Sequence, residues 1–346
     1  MKRFIIIFIL IWTLAEVGSG MRLQKLKQQY GLEYSPISFS FSKDQQIILN
    51  EFVEHRHVSL KYDSHLGWDK IELESQLTPK PNSIRVYGNR LSLDINDPIC
   101  KYLETYSDDI NCHDRTVDQY GLGQSLLKFK QDNQNFLDVG VVALLLDSEA
   151  INRSLNVFRP FLDPEPAIPL TKPRFILRKS SLALLPNPIS SQSALEKMAL
   201  GPMRLISLFF SGDYFYRYHY IRTWVDLLPS HQLMKVSKLR RMTVNKVPVY
   251  VGNKLNAKSE GYSTSLAVLK RFVEEARQLP KQKVIIVFVG EGDKTSANLS
   301  KTPLQNTSLA EPLANAGAAI IDATQFKASK TESINALLAK TILERV

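Results

Sequence analysis

The apolar and polar positions of this chain alternate between short strand-like runs and helical stretches. Residues 139–146 (VGVVALLL) and 284–289 (VIIVFV) are almost continuously apolar, the pattern of strands buried on both faces of a parallel sheet. Shorter runs at 84–87, 110–113 and 318–321 read as further strands. Between them the period changes. Over 259–279, Leu266, Leu269, Phe272, Val273 and Ala276 recur at three- and four-residue steps and Pro280 closes the stretch, which predicts one amphipathic helix. A helix over 123–130 and a final helix turning Ile334, Leu337, Leu338 and Ile342 inward complete the alternation. Residues 47–52 predict a short helix at the periphery, and 60–68, followed by Pro79 and Pro81, predict turns and extended chain. Alternating strands and helices specify a three-layer α/β/α sandwich with parallel strands.

Residues 1–20 do not belong to that pattern. Lys2 and Arg3 precede the apolar run 4–14, and Val17 and Ser19 stand among small residues as at a processing site. A bilayer crossing takes about 20 apolar residues, so the segment reads as a signal peptide and the chain as exported, secreted or periplasmic. The alternative is an uncleaved N-terminal membrane tether. The predicted plan is a signal peptide or anchor at 1–20, an N-terminal segment at 21–59, and an α/β domain at 60–346 carrying an insertion at 182–258.

Charge marks the insertion. The 346-residue chain has 44 Lys and Arg against 34 Asp and Glu, a net charge of +10. The stretch 171–260 alone holds 15 basic and 4 acidic residues, so the basicity is local. Residues 209–224 include eight aromatics, and 234–246 carry five Lys or Arg with no acid. A helical insertion packing its aromatics on the sheet edge is the plainer reading. Contact with an anionic lipid or polysaccharide surface through 204–246 is the functional one. Nucleic acid is not an expected partner, because no recognition motif occurs and export removes it from reach. Cys100 and Cys112, the only cysteines, fit either one bridge or two free thiols. His55 and His57 would share a face in a strand, but no third ligand recurs at zinc spacing, so neither a metal nor a cofactor is predicted.

In an open parallel sheet, ligands gather at the carboxyl ends of the strands, here 88–93, 119–124, 147–152 and 322–330. The stretches YDSHLGW, VYGNRLSLD, DQYGLGQSLLKFK, VVALLLDSEAINRSLNVFRPFL, KPRFILRKSSLALLPNP and SEGYSTSLAVLKRFVEEARQLPKQKVIIVFVG occur in this order. Together they resemble the extracytoplasmic branch of the SGNH/GDSL hydrolase superfamily. The resemblance implies a flavodoxin-like sheet and acyl-ester chemistry run by a serine after the first strand, Gly and Asn oxyanion donors, and an Asp/His pair before the last helix. Its residues are not matched here. The glycine falls on Gly88, but the following Asp is Asn89 and the serine is Arg90, which cannot form an acyl intermediate. The second-block glycine falls near Gln119 and the oxyanion Asn falls on Glu149, whose charge opposes an oxyanion. The Asp and His positions fall on Lys327 and Ser329.

The histidines agree with that pattern independently of alignment: none of the six lies in the last 115 residues. Weak replacements are Ser92 or Ser148 with His113. Gly88, Asn89, Arg90, Asp147, Glu149 and Asp322 line the expected cleft, Arg90 is expected to pair with Asp147 or Glu149 because buried charge requires a partner, and Asp322 is expected to cap the turn after its strand. The function this implies is a catalytically idle binding or assembly component directed at a glycan, acyl-lipid or protein partner. The alternative is an active carboxylester hydrolase or O-acyltransferase with a relocated serine.

Overall fold

The computed structural model describes residues 2–30, 34, 36–37, 41–71, 82–89, 99–135, 140–147, 149–158, 168–201, 212–214, 220–221, 223–244, 248–278, 282–289, 307–324, 326 and 333–345. The chain opens with helix α1 (Lys2–Tyr30), α2 (Lys43–Val53) and the hairpin β1 (Leu60–Asp63) and β2 (Gly67–Lys70). The central elements follow: β3 (Asn82–Tyr87), α3 (Ile99–Tyr106), β4 (Ile110–Asp114), α4 (Leu122–Asn135), β5 (Val141–Leu146) and α5 (Ala150–Leu155). A second hairpin, β6 (Arg174–Arg178) and β7 (Ser181–Leu185), leads to α6 (Gln192–Leu200) and α7 (Pro229–Val244). The chain then returns through α8 (Glu260–Arg277), β8 (Lys283–Val289), α9 (Ala310–Ala314), β9 (Ala319–Ala323) and α10 (Ile334–Leu343).

Five strands form one parallel sheet in the order β9-β8-β5-β3-β4. Counted along the chain this is 2-1-3-4-5, a doubly wound order whose direction reverses between the first and third strands. The run Lys283–Val289 occupies an interior position. Its β-branched residues suit both covered faces. On one face α3 and α10 cover Ile84, Val86, Ala143, Leu145, Ile285 and Val287. On the other, α4 and α8 cover Val142, Leu144, Leu146, Ile286 and Phe288. Tyr87, Phe129 and Phe272 join sheet, α4 and α8 through edge-on and tilted ring contacts 4.7–6.0 Å between centroids. The three-layer sandwich with a parallel sheet is thus the observed architecture.

Several details differ from the sequence reading. In α10 the buried row is Ala336, Leu338, Ala339 and Ile342, while Ile334 and Leu337 are half-buried; alanines turned toward the sheet let the helix approach closely. The short helix expected at the periphery is instead a core element. α2 buries Leu49 and Phe52 with Leu60, Leu66, Trp68, Val117, Tyr120, Phe158, Leu195 and Met198, a third apolar cluster built on loops that leave the sheet. Ser42 starts this helix with a capping box to Gln45. The extended chain at 60–68 is a true hairpin, and His55 and His57 lie in the turn before it, not in a strand. His57 Nδ1 accepts the backbone N–H groups of Ser59 and Leu60. The expected insertion boundary at 182 falls inside β7, whose hairpin turn places Lys179 and Ser180 at positive φ, the geometry of tight two-residue hairpin loops. The insertion is therefore mixed strand and helix. Most of its aromatic stretch, with Pro79 and Pro81, lies outside the described residues.

Cys100 on α3 and Cys112 on β4 are joined as a disulfide, with Cα atoms 5.1 Å apart. The bridge staples an outer helix to the edge strand it covers. Closing a short loop in the unfolded chain stabilises the fold by about 3 kcal/mol. The C100S/C112S chain is expected to lose about that much unfolding free energy in urea titration, with a denaturant slope no smaller than that of the native chain, and reduction of the native chain should reproduce the loss.

Candidate functional site

The reversal of strand order puts the ends of β3 and β5 side by side, and there Gly88, Asn89, Asp147 and Glu149 meet. Gly88 has φ +129, and a Cβ in its place would lie 2.7 Å from the Leu145 carbonyl oxygen, so only glycine lets the chain leave β3 this close to β5. Asn89 follows, buried, and bridges to the loop after β4 by pairing with Val117. Its side chain is fully engaged: Nδ2 donates to Asp147 Oδ2 at 2.8 Å, and Oδ1 accepts the Gln119 backbone N–H at 2.7 Å. Gln119 itself sits in the left-handed region at φ 62, and its side chain accepts the Ile168 N–H.

Asp147 is the centre of this arrangement. Its Oδ1 accepts the Glu149 N–H at 3.0 Å, so the carboxylate closes the turn that starts α5. Its charge is met by Arg153, one turn into the helix, whose Nη2 donates to both carboxylate oxygens. Arg153 Nε donates to the Tyr120 carbonyl at 2.9 Å, and the Arg153 carbonyl accepts from Lys172 Nζ. Asn89, Asp147 and Arg153 are 5%, 6% and 5% exposed. A carboxylate this buried is tolerable only with a counter-ion and complete hydrogen bonding. The expected Arg90 partner lies outside the described residues; the guanidinium that the structure brings to Asp147 is that of Arg153. Glu149 takes no part in that pair and instead accepts from Asn152 Nδ2 at 3.0 Å.

A second polar layer locks the β1–β2 hairpin over this site. Gly67 has φ +93, and a Cβ there would lie 2.3 Å from the Thr171 carbonyl oxygen, so the hairpin turn rests directly on the segment before β6. Lys128 pairs with Asp69 at 2.6 Å, Trp68 Nε1 donates to the Asp118 carbonyl at 2.9 Å, and Gln124 Nε2 donates to the Leu66 carbonyl at 2.8 Å. Tyr120 donates its hydroxyl to the Trp68 carbonyl at 2.7 Å. Burial, then the Asp69 charge, hold this phenol well above the usual tyrosine range.

The remaining predicted residues are dispersed. His113 lies on β4 and is half-buried; burial, then the charges of Arg115 and Arg85, lower its proton affinity, which weakens it as a base. Asp322 ends β9, is exposed, and accepts the N–H and hydroxyl of Thr324 at 3.1 and 2.6 Å. Ser92, Ser148, Lys327 and Ser329 lie outside the described residues. Among the described residues, no group of three His, Cys, Asp or Glu side chains could hold a metal ion.

Sequence reasoning missed Arg153, Lys172, Asp69 and Lys128. Arg153, Lys172 and Lys128 stand inside the quoted stretches and Asp69 directly follows one, but no periodicity distinguishes a buried charge from a solvated one. No protein-family model and no curated protein matches this chain.

Two outcomes follow from this geometry. D147N leaves the buried Arg153 guanidinium without its carboxylate and is expected to cost about 3–5 kcal/mol. In a double-mutant cycle of urea midpoints, D147N/R153M should cost less than the sum of the single changes by more than about 1 kcal/mol. For His113, the fold lowers proton affinity, so the unfolded chain binds more protons below the ordinary histidine value. Stability should therefore fall as pH drops from about 7 to about 5, and H113Q should flatten that part of the urea-midpoint profile.

Proposed function

We propose that this chain is an SGNH-like α/β domain on the exported side of a membrane that works by binding or assembly and not by ester turnover. The resemblance supplies the family reading, and the positive φ at Gly88 supports it, because that pattern has glycine there. One observation carries the loss of chemistry. The Gln119 N–H, near the position from which an ester hydrolase of this kind would aim a donor at the oxyanion, is donated to Asn89 at 2.7 Å, and Asn89 is itself held by Asp147. Stabilising an oxyanion needs donors free to meet the charge as it develops. Here the donor is already spoken for, and an ion-paired carboxylate occupies the centre of the site.

Export is supported by the Cys100–Cys112 bridge, which suits an oxidising compartment. The partner classes that fit are a glycan, an acyl-lipid or another protein, met by the surface around the hairpins and the basic insertion.

The full-length chain, incubated with a serine-directed fluorophosphonate and with short-chain aryl esters, is expected to show neither stoichiometric labelling nor turnover above buffer. Ester cleavage that disappears in S92A or S148A would overturn the proposal and establish an active hydrolase.

A further inference from the structure

α1 does not stop at the small residues near position 20. It is one continuous helix from Lys2 to Tyr30, and its two halves have different surroundings. The first half is apolar and bare: Phe4 is 80% and Leu14 70% exposed, within a stretch of mean hydropathy 2.0 long enough to cross a membrane. The second half docks on the insertion. Glu16 accepts the Ser230 backbone N–H at 2.9 Å and the Ser230 hydroxyl at 2.6 Å, at the start of α7. A Cβ at Gly20 would lie 4.0 Å from Pro229 Cβ, and Leu26 is buried. The region of a processing site is therefore part of a helix–helix contact.

Length then fixes where a bilayer surface would lie. Between Arg3 and Arg22 only Glu16 is charged, and that stretch of helix is about 27 Å long at ~1.5 Å per residue. A hydrocarbon core is about 30 Å thick, so a crossing uses the whole stretch and the surface falls at the level of Gly20 and Pro229. Glu16 then sits near the exit with its carboxylate turned to Ser230.

The residues immediately before Pro229 form a 3-10 turn, Trp224–Leu227. Trp224 is 83% and Leu227 71% exposed, whereas Asp226 between them is buried. Asp226 accepts the Thr223 N–H at 2.6 Å and the Lys235 ammonium at 2.7 Å, and contacts His231 Nδ1. Burial alone would raise the Asp226 pKa; the hydrogen bonds from Lys235 and the Thr223 N–H outweigh it and hold the carboxyl below its usual range. The turn is thus pinned from inside while its two large apolar side chains are left outside. Tryptophan is the side chain best suited to the headgroup level of a membrane. Arg22, Lys25 and Lys27 follow on α1, which suits anionic headgroups.

We infer that the chain keeps α1 as a membrane anchor and that Trp224 and Leu227 form a second contact, seated in the headgroup region of an anionic bilayer beside the helix. This stands independently of whether the cleft is idle.

The test uses the full chain. Produced in an export-competent host, it should be recovered in membranes, resist carbonate extraction, and retain the residues ahead of Phe4. A soluble chain beginning near Met21 would overturn the anchor, as would an intact chain released by carbonate, which would point to a protein partner on α1. The three tryptophans are Trp12, Trp68 and Trp224, and Trp68 is sealed in the core. The W12F chain is placed in nanodiscs of phosphatidylcholine and phosphatidylglycerol carrying bromine at shallow acyl positions. Its emission should be quenched, and the quenching should be at least about fivefold smaller in W12F/W224F. Equal quenching in the two chains, or none in W12F, would overturn the second contact; an unchanged thermal midpoint shows that exposed Trp224 is not needed for folding.

Discussion

The Asp147 carboxylate, buried at the end of β5 and answered by Arg153, is the constraint around which the carboxyl end of this fold is arranged. A charge removed from water has to be matched, and the match draws in neighbours. Asn89 reaches across from β3, Gln119 folds into the left-handed region to offer its N–H to Asn89, and Tyr120 and Lys172 satisfy the two ends of Arg153. Asn89 follows β3, Gln119 and Tyr120 follow β4, and Lys172 lies beyond α5, so the pair ties together the connections after β3, β4 and β5. A glycine at 88 permits the approach, because β3 and β5 come too close there for any side chain.

The same device recurs around the molecule. Asp69 with Lys128 fixes the first hairpin to α4, and Arg174 with Glu260 at 2.8 Å fixes β6 to the start of α8. Tyr87 donates to Asp132 at 2.9 Å, from the sheet to α4. Buried ion pairs contribute little net stability over apolar packing of the same shape, but removing one partner is costly. We read them here as registry devices: each joins segments far apart in the chain and penalises any other docking. A catalytic cleft of this topology is ordinarily open where the strand order reverses. Among the described residues, Asn89, Asp147 and Arg153 meet at that position, and the longest run of exposed apolar side chains lies on α1.

The bridge between α3 and β4 joins the sheet edge to the helix that covers it, and the docking of α1 on α7 holds the domain close to the end of the apolar helix.

The layer architecture was legible in the amino-acid order because it depends on periodicity: VIIVFV and VVALLL suit strands covered on both faces, as in a parallel sheet, and the three- and four-residue steps of α8 make one stripe. The absence of a terminal histidine was equally plain. Hydrophobicity, however, carries no address. It could not tell that α2 joins the core, that the chain at 174–185 forms a hairpin, or that α10 turns its alanines inward, because those depend on which distant surface is available to pack against. The candidate site was half legible for the same reason. Gly88, Asn89, Asp147 and Glu149 announced themselves by lying where strands end, but Arg153 and Lys172 read as ordinary surface charges until the tertiary structure placed them beside a buried carboxylate and a buried carbonyl. Sequence determines what each segment can bury; only the closed fold decides which charges have lost their water and must therefore find each other.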